Sequence, residues 1–135
     1  MQVYANEFAM YMDEHGVKYS QEKDHVIKVT YSGDNMESIS VFAIFDKDDD
    51  PIAQFVCWNI ASFKNNADVA TKLCNKLNAQ YRWVKFYVDD DNDVIASIDA
   101  EFNKSTCGEV SLSMVRHLVN IIDEAYPQIA KARWA

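Results

Sequence analysis

Glycine and proline are scarce, three and two in 135 residues. This excludes a collagen-like or low-complexity chain, and three isolated glycines cannot build a phosphate-cradling loop. None of the patterns G-x-x-x-x-G-K-[ST], G-x-G-x-x-G or G-x-S-x-G occurs, so nucleotide enzymology and nucleophile-elbow hydrolysis have no support. A cationic excess is also missing: 13 Lys and Arg stand against 21 Asp and Glu, for a formal net charge of -8. Phosphate binding is driven by Lys and Arg, so nucleic acid is not an expected partner. No stretch approaches the ~18 apolar residues of a membrane span, and Met1-Gln2-Val3-Tyr4 opens without a basic region or a long apolar run. The expectation is a cytoplasmic protein with no membrane insertion. Cys57, Cys74 and Cys107 are odd in number and scattered among apolar neighbours, the setting of small buried thiols in a reducing compartment.

Hydrophobic residues make up 49% and charged residues 25% of the chain. That is the profile of one ordered domain, 1–135, burying about 65–70% of its extended surface. The negative charge gathers in two clusters, Asp46, Asp48, Asp49 and Asp50, then Asp89, Asp90, Asp91 and Asp93. Outside them the charge is balanced.

Along the chain, Tyr4, Phe8, Tyr11 and Met12 recur at helical spacing and Gly16 stands where a helix would end. Ile27, Val29 and Tyr31 alternate with Lys28 and Thr30, predicting a strand that stops at Ser32-Gly33-Asp34-Asn35. Ser38–Phe45 and Ile52–Ile60 form a hairpin about the first acidic cluster and Pro51. Val69, Leu73, Leu77 and Tyr81 then mark a second helix. Trp83–Val88 and Asp93–Phe102 form a second hairpin, whose latter strand sets Val94, Ala96, Ile98, Ala100 and Phe102 against a solvent face of Ser97, Asp99 and Glu101. Thr106-Cys107-Gly108-Glu109 has capping-box spacing and opens a third helix, expected to end or kink near Tyr126 because of Pro127.

The predicted class is α+β, in the order α-β-β-β-α-β-β-α, with a five-stranded antiparallel sheet and helices mainly on one face. One helix separates the third strand from the fourth, so the two run in the same direction and cannot be antiparallel neighbours. The sheet order is therefore 1-2-3-5-4 or 4-5-1-2-3, and Trp83–Val88 is an edge in both. Val84, Phe86 and Val88 would face the helices. Trp83 and Tyr87, with Phe42 and Ile44, would emerge on the other face beside Lys85. Phe42, Ile44, Trp83, Lys85 and Tyr87 are the candidate surface for a partner or a second copy, since exposed apolar area rich in aromatics marks such sites.

The element order, the run Val84-Lys85-Phe86-Tyr87-Val88-Asp89 and the helix Val110-Ser111-Leu112-Ser113-Met114-Val115-Arg116-His117-Leu118 resemble the bacterial YbjN family. That family is labelled a sensory transduction regulator and shares the fold of type III secretion chaperones. The resemblance implies a small, usually dimeric, chaperone-like domain, and it carries no catalytic residue with it.

Candidate chemistry is thin. Asp89-x-Asp91-x-Asp93 imitates the start of a calcium loop, but Val94 occupies the glycine position and Ala100 the place of the bidentate Glu. A solvated turn is the plainer reading, although a divalent cation would relieve the carboxylates' repulsion. His15, His25 and His117 lie on different elements without zinc spacing. Cys107 near a helix start could be a reactive thiol, but Glu109 opposes the helix dipole there and no base accompanies it. The expectation is a non-enzymatic interaction module, with no cofactor and no metal, that forms a homodimer and binds a client protein by the sheet face or the edge strand. The other reading is a regulator responsive to a small ligand or divalent metal.

Overall fold

In a computed structural model, described over residues 1–134, the chain forms three helices and six strands. They are α1 (Val3–Glu14), β1 (Ser20–Lys23), β2 (Val26–Tyr31), β3 (Ile39–Phe45), β4 (Ile52–Ser62), α2 (Ala67–Gln80), β5 (Lys85–Val88), β6 (Asp93–Glu101) and α3 (Cys107–Trp134). One antiparallel sheet has the order β1-β2-β3-β4-β6-β5. The α+β class therefore holds, and the second hairpin docks through β6 onto β4, leaving β5 at an edge. No helix among the described residues is long and apolar enough to cross a membrane.

The sheet has six strands rather than five. Ser20-Gln21-Glu22-Lys23 is exposed throughout and contains no apolar residue, so no alternation betrays it. It is held by backbone pairing to β2 across a short turn, with a bulge between Gln21 and Lys23. Its charged, bulged character suits an edge that must not pair with strangers.

Alternation decides what the helices meet. Ile39, Val41, Ala43 and Phe45 of β3, Ala53, Phe55 and Cys57 of β4, and Val94, Ala96 and Ile98 of β6 join one core cluster with the buried residues of all three helices. Phe8, Phe45, Phe55 and Phe86 are fully buried there, each contributing about 1.5–3 kcal/mol relative to exposure. In α2 the buried face is Ala70, Leu73, Cys74 and Leu77, while Val69 is exposed. The predicted stripe thus sits slightly rotated, towards Ala70 and Cys74.

Two local expectations about α3 need correction. The cap lies three residues earlier than the Thr106–Glu109 spacing indicates. Asn103 Oδ1 accepts from the Thr106 amide at 3.0 Å, and Thr106 Oγ1 accepts from the Asn103 amide at 3.0 Å. This reciprocal pair is the capping-box arrangement made with other residues. Nor does Pro127 end the helix, which continues to Trp134. Proline lacks the N–H that would bond the carbonyl four residues back, here that of Asp123. Asn35 Nδ2 donates to that carbonyl instead, at 3.1 Å.

The same loop is fastened by the Asp123 side chain. Its carboxylate accepts from the backbone amides of Asp34 at 3.0 Å, Asn35 at 2.8 Å and Met36 at 2.9 Å. These bonds, that from Met36 foremost, hold the Asp123 pKa below its ordinary value. Gly33 makes the approach possible. A Cβ there would press into the Asp123 carboxylate and lie 2.6 Å from the Met36 carbonyl oxygen.

Candidate functional site

Among the described residues, the strand residues that join the helices in the core cluster lie on one face of the sheet. Val26, Val56 and Ile95 are buried yet stand outside the helix-packed cluster, because alternation turns them to the opposite face. The register puts Lys28, Phe42, Val56, Ser97 and Lys85 in one row across five strands of that face. Phe42 lies 4.9 Å from Trp58, centroid to centroid, and Lys28 Nζ stands 5.9 Å over the Phe42 ring. Such a cation–aromatic contact contributes about 0.5–1 kcal/mol at an exposed site. Trp58 is 41% exposed. Ser97, expected on a solvent face, is buried, as is Ile95, and among the described residues the Ser97 hydroxyl has no partner. They lie mid-sheet, where flanking Val56, Lys85 and Tyr87 shelter them.

Of the five residues expected at a partner surface, four fall on this face. Phe42, Ile44 and Tyr87 are half-buried and Lys85 is exposed, its Nζ 5.7 Å from the Tyr87 ring centroid. Trp83 does not belong with them as a strand residue. β5 begins at Lys85, and Trp83 sits before it at φ 76 with 71% of its surface exposed. A bulky residue at positive φ cannot continue a pleated strand, so the apolar reading of Trp83–Val88 as one ribbon was too long by two residues.

Sequence reasoning missed Trp58 and Asn78. Trp58 was within reach, since it follows Gln54 and Val56 at strand spacing and Phe42 pairs with Val56. Asn78 was not. From α2 its amide reaches the outermost strand, where Oδ1 accepts from the Phe86 amide at 2.7 Å and Nδ2 donates to the Phe86 carbonyl at 3.0 Å. A side chain thereby stands in for a neighbouring strand, closing the pair of groups an incoming strand would use.

The other candidates contribute little chemistry. All three cysteines are buried and free. Burial pushes each thiol up to about 11, so none is a thiolate nucleophile near neutrality. His15 donates from Nδ1 to the Tyr11 carbonyl at 2.8 Å and stacks on the Tyr11 ring at 4.0 Å, a helix-end role. The carboxylates of Asp89, Asp91 and Asp93 lie within 4.8 Å of one another. Asp89 Oδ1 already accepts from the Asp91 and Asp93 amides, both at 2.9 Å, which is how the turn is made. The acidic turns sit at opposite ends of the sheet, since Ile52 pairs with Glu101 and Ser62 with Asp93.

Comparison with known proteins places these features in context. Residues 5–131 match the YbjN family, described as "Putative bacterial sensory transduction regulator". No curated protein matches the chain. Among solved structures it is similar to a chain of the heterodimeric ExoU–SpcU complex from the type III secretion system of Pseudomonas aeruginosa. That likeness has a TM-score of 0.55 at 10% identity, covering 91% of this chain and 94% of the other. A chain of the complex of the Yersinia pestis type III secretion chaperone SycH with a stable fragment of YscM2 gives a TM-score of 0.48 at 9% identity over 87% of this chain and 98% of the other.

Proposed function

Because the chain belongs to the YbjN family, we propose that it is a non-enzymatic, regulatory or chaperone-like domain that binds a client protein on its helix-free sheet face and self-associates as a homodimer. The observation that carries this is the Phe42–Trp58 pair over buried Val56 and Ile95, an apolar, aromatic patch with no helix against it. Aromatic residues supply much of the energy at protein interfaces. Phe42, Ile44, Lys85 and Tyr87 are its proposed contacts, joined by Trp58, and Trp83 lies beside the edge. Of the two routes open to a client, the face is favoured over strand addition at β5. Asn78 would have to be displaced for the latter, at the cost of two hydrogen bonds.

A photo-crosslinking amino acid at position 42 tests this in the native cell, with position 72 on the exposed side of α2 as control. Discrete adducts from position 42 alone are expected. Equal labelling from both positions would remove the face from consideration, and light scattering of the purified protein decides the dimer separately.

A further inference from the structure

The helix-free face is not uniform along its strands. Beyond Phe42 towards the β3–β4 turn, it opens into a groove of about 820 Å³. Ile44 and Ile52 line its floor, Ile52 being 43% exposed. Its rim carries Asp46, Asp48, Asp99 and Glu101 against Lys47 and His25. Register explains the gathering: Ile44 pairs with Gln54 and Gln54 with Asp99, while Ile52 pairs with Glu101. Residues from two hairpins therefore stand side by side on one face. Asp46 is spent on the turn, where its Oδ2 accepts from the Asp48 and Asp50 amides at 3.0 and 3.3 Å. Asp48, Asp99 and Glu101 have no cation; the one ion pair among the described residues is Lys104–Glu7, elsewhere.

An apolar floor between unpaired carboxylates attracts one chemistry in particular. We infer that this groove receives a client segment in which Lys or Arg flanks an aliphatic or aromatic side chain. The apolar side chain would rest on Ile44 and Ile52, and the cations would meet Asp99, Glu101 and Asp48. The inference rests on the client-binding reading of this face and adds the chemistry of the bound segment. Complementary charge at a rim sets selectivity and encounter more than total affinity. Each exposed pair contributes a factor of up to about five, and salt weakens it.

The test uses the full chain and a fluorescein-labelled peptide, Gly-Lys-Leu-Arg-Phe-Lys-Gly, with a version bearing Glu at every Lys and Arg, read by fluorescence anisotropy. Two variants of equal net charge separate the groove from the general acidity of the protein: Asp99→Asn with Glu101→Gln, and Asp90→Asn with Asp91→Asn at the other acidic turn. These side chains are exposed, and wild-type melting temperatures confirm that both variants fold. The basic peptide is expected to bind, the first variant to weaken it about fivefold or more, and the second less than about twofold. Ile52→Ser should weaken it as well. Equal losses in the two double variants would reduce the effect to overall charge. Comparable binding of the Glu peptide, loss with Ile52→Ser alone, or no binding at millimolar protein each overturns the inference. Crosslinking from position 42 surviving any of these results would leave the client-binding reading standing while the groove's occupant is rejected.

Discussion

The two faces of this sheet are made from the same strands with the same alternation, yet they carry opposite burdens. On one, Phe55 lies fully buried among residues from all three helices. On the other, Phe42 leans on Trp58 and Lys28 with no helix against it. Burial on the first face holds the fold together, whereas on the second Phe42 and Trp58 remain partly exposed around buried Val56 and Ile95. The contrast teaches that an apolar residue in a strand marks one side of a sheet, and only the helices decide whether that side becomes core or contact surface.

The strongest challenge to that contrast is a pair of truncations. Phe55→Ala should cost about 3–5 kcal/mol in urea unfolding, from lost burial and the cavity left behind. Phe42→Ala should cost about 1 kcal/mol or less, as a partly exposed site does; equal costs would mean that the second face is structural too. Next in size is Gly33→Ala, which forces the β2–β3 loop off the Asp123 carboxylate. A destabilisation of about 1–3 kcal/mol is expected, in the range of overpacked sites. Asn78→Ala removes the side chain that closes β5 and should cost a similar or smaller amount, about 1–2 kcal/mol for two hydrogen bonds. Its more telling consequence would be concentration-dependent association beyond the parent's own oligomeric state in sedimentation velocity.

Acid titration separates the loop clamp from both faces. The Asp123 pKa is lowered in the folded state, so its contribution is fully present above the unfolded carboxylate value near ~3.9 and is lost as pH falls through the lower folded value. Asp123→Asn should therefore flatten the fall in stability below about pH 4, measured by denaturant unfolding across that range. The smallest effect is expected from Ca²⁺ or Mg²⁺. Because Asp89 is committed to its own turn, millimolar cation should shift the melting temperature by less than about 1 °C. A ligand favouring the native state would raise it by mass action, and a clear rise would revive the metal-responsive reading.

Much of the architecture was legible in the chain because period is a local property. Helical spacing revealed α1 and α3, alternation revealed β2 and β6, and the direction argument placed the Trp83–Val88 run, which holds β5, at an edge, as observed. β1 was invisible for want of apolar residues. Trp83 misled because an aromatic beside a strand looks like part of it until its φ is known. Of the candidate surface, Phe42, Ile44, Lys85 and Tyr87 could be assigned to one face, but Trp58 needed the β3–β4 register.

What the sequence by itself determined is the set of elements apart from β1, their approximate bounds and the sides of the strands that are apolar, for these follow from residue spacing within a few turns or pleats. Only the tertiary structure decided how Pro127 could sit inside a helix, how Asn78 closes an edge, and why carboxylates from two hairpins border one groove. Each depends on groups from different elements brought together in space: Asn35 with Asp123, Asn78 with Phe86, and Asp48 and Asp99 along one groove. No periodicity encodes such meetings, because they arise from loop closure and sheet order rather than from local backbone preference.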